Sequence, residues 1–142
     1  MTTTSKATTL WRGGLAEGSG TTALSSGVAT VGVNWKARSE GSADTTTPEE
    51  LLAAAHASCF AMALSHELGG NDTPPEEIEV AVEVDFQPGE GVTASRISVV
   101  AKVPGISAED FERIANGAKD GCPISKALAG VEISLASATL KD

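Results

Sequence analysis

TPEELLAAAHASCFAMALSHELGG, residues 47–70, is the stretch that decides how this chain folds. Thr47 suits a helix N-cap, and Pro48 suits the first helical position, where its missing N–H would be unpaired anyway. Glu50, three residues past the cap, completes a capping box. Gly69-Gly70 reads as the stop, so the expected helix covers about residues 48–68. Between Leu51 and Leu64 only His56 and Ser58 are polar, so apolar side chains point in every direction. A helix of this kind has to be covered all round, whereas one small sheet covers one face. The other face calls for a second layer of this chain or for a partner subunit.

Upstream, residues 6–36 read as a β-meander of two segments, KATTLWRG and TTALSSGVATVGVNW, punctuated by glycines, and residues 39–47 as a polar loop. Downstream, Ile78, Val80, Val82, Val84 and Phe86 alternate strictly, the pattern of a strand with one buried face. A turn at Gln87–Gly91 leads to a second strand from Ile97 to Val103. Ser107 then caps a helix carrying Phe111, Ile114, Ala115 and Ala118 at helical spacing. Cys122-Pro123 opens a further helical turn, and a last strand starts near Val131. The order β-β-α-β-β-α-β predicts an α+β fold with mostly antiparallel sheets.

The 142 residues fit a single domain spanning 1–142, with no repeat or linker to divide it. Hydrophobic residues at 41% and charged residues at 20% are globular values and exclude a disordered or collagen-like chain. Without Tyr, and with three Phe and two Trp, the core must come mainly from Val, Ile, Leu and Ala. A net charge of −9 would repel a phosphate backbone, which argues against nucleic acid as a partner. MTTTSK lacks the apolar run of a signal peptide, and no run approaches the roughly 18 apolar residues of a membrane span. The expectation is a cytoplasmic protein with no membrane partner.

Two cysteines in a reducing compartment are more often small buried hydrophobes than a structural disulfide. Cys59 sits mid-helix, beyond the reach of the helix dipole, and burial alone would make its thiol inert. To react, it needs a cation delivered by the tertiary fold. Cys122 occupies an N-cap position, where free backbone N–H groups favour a thiolate, so local chemistry makes it the better nucleophile. Arg38 closes the second β segment, and Arg12 and Arg96 have an equal local claim as cations. Glu49 falls at N2 of the helix and Glu50 at N3, both favourable to the dipole. His56 and Cys59, spaced i,i+3, could in principle share a metal, yet no CxxC or HxxxH spacing supports one.

Residues 47–68, TPEELLAAAHASCFAMALSHEL, resemble the central helix of the osmotically inducible protein C (OsmC/Ohr) family, which shows P-E-[EQ]-L…A-A…A-C-F there. GCPISKAL, residues 121–128, resembles the second cysteine motif of that family. The segment from Trp35 to Gly41 is similar to its arginine loop, placed as in the OsmC branch; Arg12 only loosely matches the Ohr position. The resemblance implies an intertwined homodimer with sheets wrapped around central helices, which would cover the apolar helix. It implies a thiol peroxidase for organic hydroperoxides that uses an external thiol or dithiol reductant and no cofactor or metal. Cys59 would be the peroxidatic thiolate, Cys122 the resolving thiol, Arg38 the group holding thiolate and peroxide, and Glu49 the group orienting Arg38, with Glu50 the alternative. On the choice of nucleophile the resemblance outweighs the local argument, because an arginine can outweigh a helix cap.

On one continuous helix, Glu49 and Cys59 lie about 15 Å apart along the axis. If Arg38 bridges Glu49 and a cysteine, that carboxylate comes most simply from the other subunit of a two-fold dimer. Two rival functions remain. A cysteine-dependent acyl hydrolase would use His56 as general base, and a non-catalytic binding module would use the apolar interior as a pocket.

Overall fold

The computed structural model describes all residues, Met1–Asp142, and divides them into two compact units, Met1–Leu51 and Leu52–Asp142. The first unit opens with three strands, β1 (Ala7–Arg12), β2 (Ser19–Leu24) and β3 (Thr30–Val33), in an antiparallel meander. The second of the two expected β segments is thus a hairpin, turned where Gly27 takes a φ of +84° and its N–H bonds the Leu24 carbonyl. The β1–β2 turn requires Gly18, since a Cβ there would lie 2.3 Å from the Gly14 carbonyl oxygen.

Residues expected to finish a strand instead form a short helix, α1 (Trp35–Glu40). Asn34 caps it, its side chain accepting from the Ala37 N–H at 2.7 Å, and Gly41 at φ +87° ends it. Arg38 therefore stands on a helix and not at a strand end. The long helix α2 (Pro48–Gly70) begins in this unit. Thr47 Oγ1 accepts from the Glu50 N–H at 2.9 Å, as the capping box requires, but the Glu50 carboxylate takes its own bond from Thr46 Oγ1 at 2.6 Å.

In the second unit α2 continues through both glycines expected to stop it. The stop is a Schellman motif one turn later. Asp72 takes the left-handed conformation (φ 58°), the Thr73 N–H bonds Leu68 O at 3.0 Å, and the Asp72 N–H bonds Gly69 O at 3.1 Å. β4 (Glu77–Gln87) alternates exposed and half-buried residues along its length. It pairs antiparallel with β5 (Gly91–Lys102), which starts six residues earlier than expected. Next come α3 (Ala108–Gly121), α4 (Pro123–Ala127) and β6 (Glu132–Leu140), which lies parallel to β5. A parallel neighbour needs a crossover, and α3 with α4 supplies it.

The fold class is α+β as read, with only the β5–β6 pairing parallel. The core joins Phe60, Leu64 and Leu68 of α2 to Ile97, Val99 and Ala101 of β5 and to Phe111 and Ala115 of α3. His56, Phe60, Leu64 and Leu68 recur every four residues, so one stripe of α2 is buried, while Met62 on another face is 72% exposed. By length and composition α2 could cross a membrane, contrary to the expectation from run lengths. Its buried stripe is packed against a sheet and a helix, however, as in the core helix of a folded domain.

Candidate active site

Cys59 is fixed by α2, and Cys122 by the joint between α3 and α4. The Cys122 N–H closes α3 on Ala118 O at 2.9 Å, and the extended backbone of Cys122 is what a following proline demands. The two sulfurs meet at 2.8 Å across 63 residues of sequence, both as free thiols, with Cys122 buried and Cys59 half-buried. With both protonated, Cys122 donates to Cys59. Once one proton is lost, the surroundings place the charge on Cys122, and Cys59 becomes the donor. Burial pushes the Cys59 thiol up, the hydrogen bond with Cys122 pushes it further, and the Ile124 N–H only partly offsets this. Burial acts against Cys122 as well, but its bond with Cys59 and the polar groups of Ser125 and Ile124 beside it bring it net below its usual value.

His56 is completely buried. Its Nδ1 lies 2.7 Å from Ser95 Oγ on β5, and its Nε2 lies 2.8 Å from Ser125 Oγ on α4. Burial pushes its pKa below the usual 6.5, so the ring is neutral. With both nitrogens committed to serines, the ring has no lone pair for a metal shared with Cys59 and cannot serve Cys59 as a general base. Neither serine stood out in the sequence. The available signal was His56 itself, because a histidine on an apolar helix needs partners from elsewhere in the fold.

Beside Cys59 opens a cleft of about 380 Å³, lined by Met62, Ala63, Ala118 and Pro123, with His66 and Glu67 also contributing. Phe60, next to Cys59 in sequence, belongs to the core instead and is fully buried.

In the first unit Arg38 and Glu49 form a two-pronged ion pair. Nη2 donates to Oε1 at 2.8 Å, and Nε donates to Oε1 at 3.0 Å and to Oε2 at 3.3 Å. The Glu49 side chain is 7% exposed and that of Arg38 35%, so the guanidinium reaches the surface while its carboxylate anchor does not. Glu50 is engaged with Thr46, which leaves Glu49 as the observed partner of Arg38. An apolar cleft of about 190 Å³ formed by Trp11, Leu15, Val33, Trp35 and Pro48 adjoins Arg38. Of the rival arginines, Arg96 is tied to Asp85 at 2.7 and 2.8 Å, which lowers the Asp85 carboxyl and raises the guanidinium, and Arg12 ends β1 at the surface.

The four residues singled out from the sequence thus form two pairs, Cys59 with Cys122 and Arg38 with Glu49. Residues 41–136 match the family model described as OsmC-like protein. The chain belongs to the OsmC-like family. This OsmC-like chain is 38% identical over 139 residues to the Peroxiredoxin OsmC of Escherichia coli K12, covering 95% of this chain and 96% of that protein. It is 32% identical over 92 residues to Organic hydroperoxide resistance protein OhrB of Bacillus subtilis, covering 63% of this chain and 68% of that protein. The crystal structure of OhrB from B. subtilis superposes with a TM-score of 0.66 at 31% identity over 98% of each chain. An OsmC organic hydroperoxide resistance protein from Legionella pneumophila shares the fold, with a TM-score of 0.71 at 24% identity over 96% of this chain and 97% of that one. The OsmC-like assignment bears out the resemblance carried by residues 47–68 and 121–128.

Proposed function

We propose that this protein is a cytoplasmic, homodimeric thiol peroxidase that reduces organic hydroperoxides, and hydrogen peroxide more weakly, to alcohols and water. The observation that carries this reading is the pair of free thiols at 2.8 Å in an OsmC-like chain. Relatives named peroxiredoxin and organic hydroperoxide resistance protein support the same redox role. The Cys59 thiolate attacks the outer peroxide oxygen; the O–O bond breaks, and the alkoxide leaves and is protonated to an alcohol. Cys59 becomes a sulfenic acid. The Cys122 sulfur then attacks the Cys59 sulfur. The S–S bond forms, the S–O bond breaks, and hydroxide leaves as water with the proton that Cys122 gave up. An external dithiol is oxidised in turn as it reduces the disulfide by exchange.

Within one chain Cys122 is the more easily deprotonated of the two thiols, so activation of Cys59 requires a cation. Arg38 is the candidate, held in place by Glu49. The two arrive together, as an ion pair, and in this proposal they arrive from the other subunit. The half-covered apolar faces of α2, with Met62 exposed, support a partner at that helix. Apolar residues beside Cys59 and beside Arg38 favour a hydroperoxide with an organic group.

The deciding experiment is peroxide consumption by the purified protein with a dithiol and, separately, a monothiol. Turnover of an alkyl hydroperoxide with dithiol supports the reading. Absence of turnover with any thiol, while both cysteines stay reduced under peroxide, overturns it.

A further inference from the structure

The two sulfurs are not equally open to a reagent from outside. Cys59 is half-buried and forms part of the wall of the cleft of about 380 Å³, with Met62, Ala63, Ala118 and Pro123. Gly121 and Pro123 both line that cleft, yet Cys122 between them does not, and its exposure is 0%. The backbone holds Cys122 in this position from both sides. Its N–H bonds Ala118 O at 2.9 Å, and its carbonyl accepts from the Lys126 N–H at 3.1 Å. Turning the Cys122 sulfur outward would strain both bonds, whereas the Cys59 sulfur already faces the cleft. The sulfurs lie 2.8 Å apart, so joining them takes an approach of roughly 1 Å, and the oxidised pair keeps the same unequal access.

We infer that the external reductant enters by this cleft and attacks the Cys59 sulfur of the disulfide, with Cys122 as the leaving group. This rests on the two-cysteine peroxidase cycle proposed above. One thiolate of the dithiol forms a bond to Cys59 Sγ; the Cys59–Cys122 bond breaks, and its electron pair leaves with Cys122. The second sulfur of the dithiol then attacks the first, and Cys59 departs as a thiolate. The dithiol is oxidised to a disulfide and the protein pair is reduced. Of the two protons the dithiol gives up, one restores the Cys122 thiol and the other passes to solvent. In such exchange the sulfur that deprotonates more easily leaves faster. Burial works against a Cys122 thiolate, but the bond with Cys59 and the polar groups of Ser125 and Ile124 outweigh it, while burial pushes Cys59 up. Access and leaving ability therefore select the same direction. Cys59 meets peroxide and reductant in turn through one opening, and Cys122 first closes the disulfide and then leaves it.

Wild-type protein oxidised with diamide tests this without peroxide, so the inference and the peroxidase reading can fail separately. Sulfite opens a disulfide by adding to one sulfur as an S-sulfonate and freeing the other as a thiol. After brief exposure, acid quenching and maleimide labelling of the freed thiol in denaturant, peptide mass spectrometry reads which cysteine carries which mark. The expected result is S-sulfonate on Cys59 and maleimide on Cys122, exceeding the reverse pattern by about tenfold or more at the earliest times. S-sulfonate on Cys122, or an even division, overturns the inference and leaves the peroxidase cycle standing. A second measurement uses a thiol, glutathione, which carries net negative charge. Met62→Glu, which puts a like charge on the cleft wall, should slow reduction of the oxidised pair by glutathione about threefold to tenfold at low salt. Met62→Gln, of the same shape, should keep nearly the parent rate, and added salt should close the gap. Equal rates for the two variants would show that the thiol does not enter by this cleft.

Discussion

The Cys122 sulfur, at the N-terminus of a five-residue helix, lies 2.8 Å from the sulfur of Cys59 in the middle of a 23-residue one. Disulfide formation therefore needs little travel, and α4 favours the charge on Cys122. Burial pushes the Cys59 thiol up, and in the proposed mechanism Arg38 is what offsets this.

The two cysteines should separate cleanly in kinetics. Cys59→Ser should lower peroxide reduction by about three orders of magnitude or more. Cys122→Ser should still consume one equivalent of peroxide, form a sulfenic acid that dimedone traps, and fail to turn over with dithiol. Mass spectrometry of both variants after peroxide checks this. If Cys122→Ser is the protein that resists oxidation, the roles are reversed. Full activity in both variants would favour the binding-module reading.

Removing the guanidinium should disarm Cys59 without unfolding the protein. Arg38→Ala should slow Cys59 alkylation near neutral pH by about tenfold and move its pH profile upward. Glu49→Gln should have a smaller effect in the same direction, because it loosens Arg38 without removing it. An unaltered profile in Arg38→Ala would pass the role to Arg12, since Arg96 is committed to Asp85.

A site completed by two subunits can be rebuilt from two inactive ones. Cys59→Ser chains retain Arg38 and Glu49, and Glu49→Ala chains retain Cys59. Refolded together, they should recover roughly half of the wild-type rate per heterodimer, through one intact site of two. No recovery, or an active monomer in sedimentation, would rule out the shared site.

Stability should depend on pH through His56. Its folded pKa lies below the usual 6.5, so the unfolded chain binds the proton more readily. Stability is then greatest above about 6.5 and falls as pH drops through the window below it. Thermal melts between about pH 7 and about 5 should show a declining Tm, and His56→Gln should flatten that decline. A wild-type Tm that is constant or rises over this range would contradict the buried neutral ring.

The end of α2 offers a gain in stability. Asp72 adopts a left-handed conformation that a side chain tolerates poorly, and Asp72→Gly should stabilise the protein by about 0.5–1 kcal/mol, read by denaturant unfolding.

Local pattern was enough to place most elements of this chain. Capping at Thr47, alternation from Ile78 to Phe86 and the Ser107 cap are signals that neighbouring residues impose on their own backbone, so α2, β4 and α3 could be read directly. The Asn34 cap was such a signal too; it lay hidden under an apparent strand, which is why Arg38 was placed off its helix. Gly69-Gly70 misled for the opposite reason, because a helix interior tolerates glycine where no side chain is needed. The roles of Cys59, Cys122, Arg38 and Glu49 and the pairing of each with its partner came from resemblance, and the tertiary structure supplied the contacts between them. Contacts across 63 residues between two sulfurs, or between His56 and serines on β5 and α4, leave no periodic trace, since each serine looks locally like any polar turn or strand residue. Only the packed fold decides which buried polar groups must find one another, because burial removes water as the alternative partner.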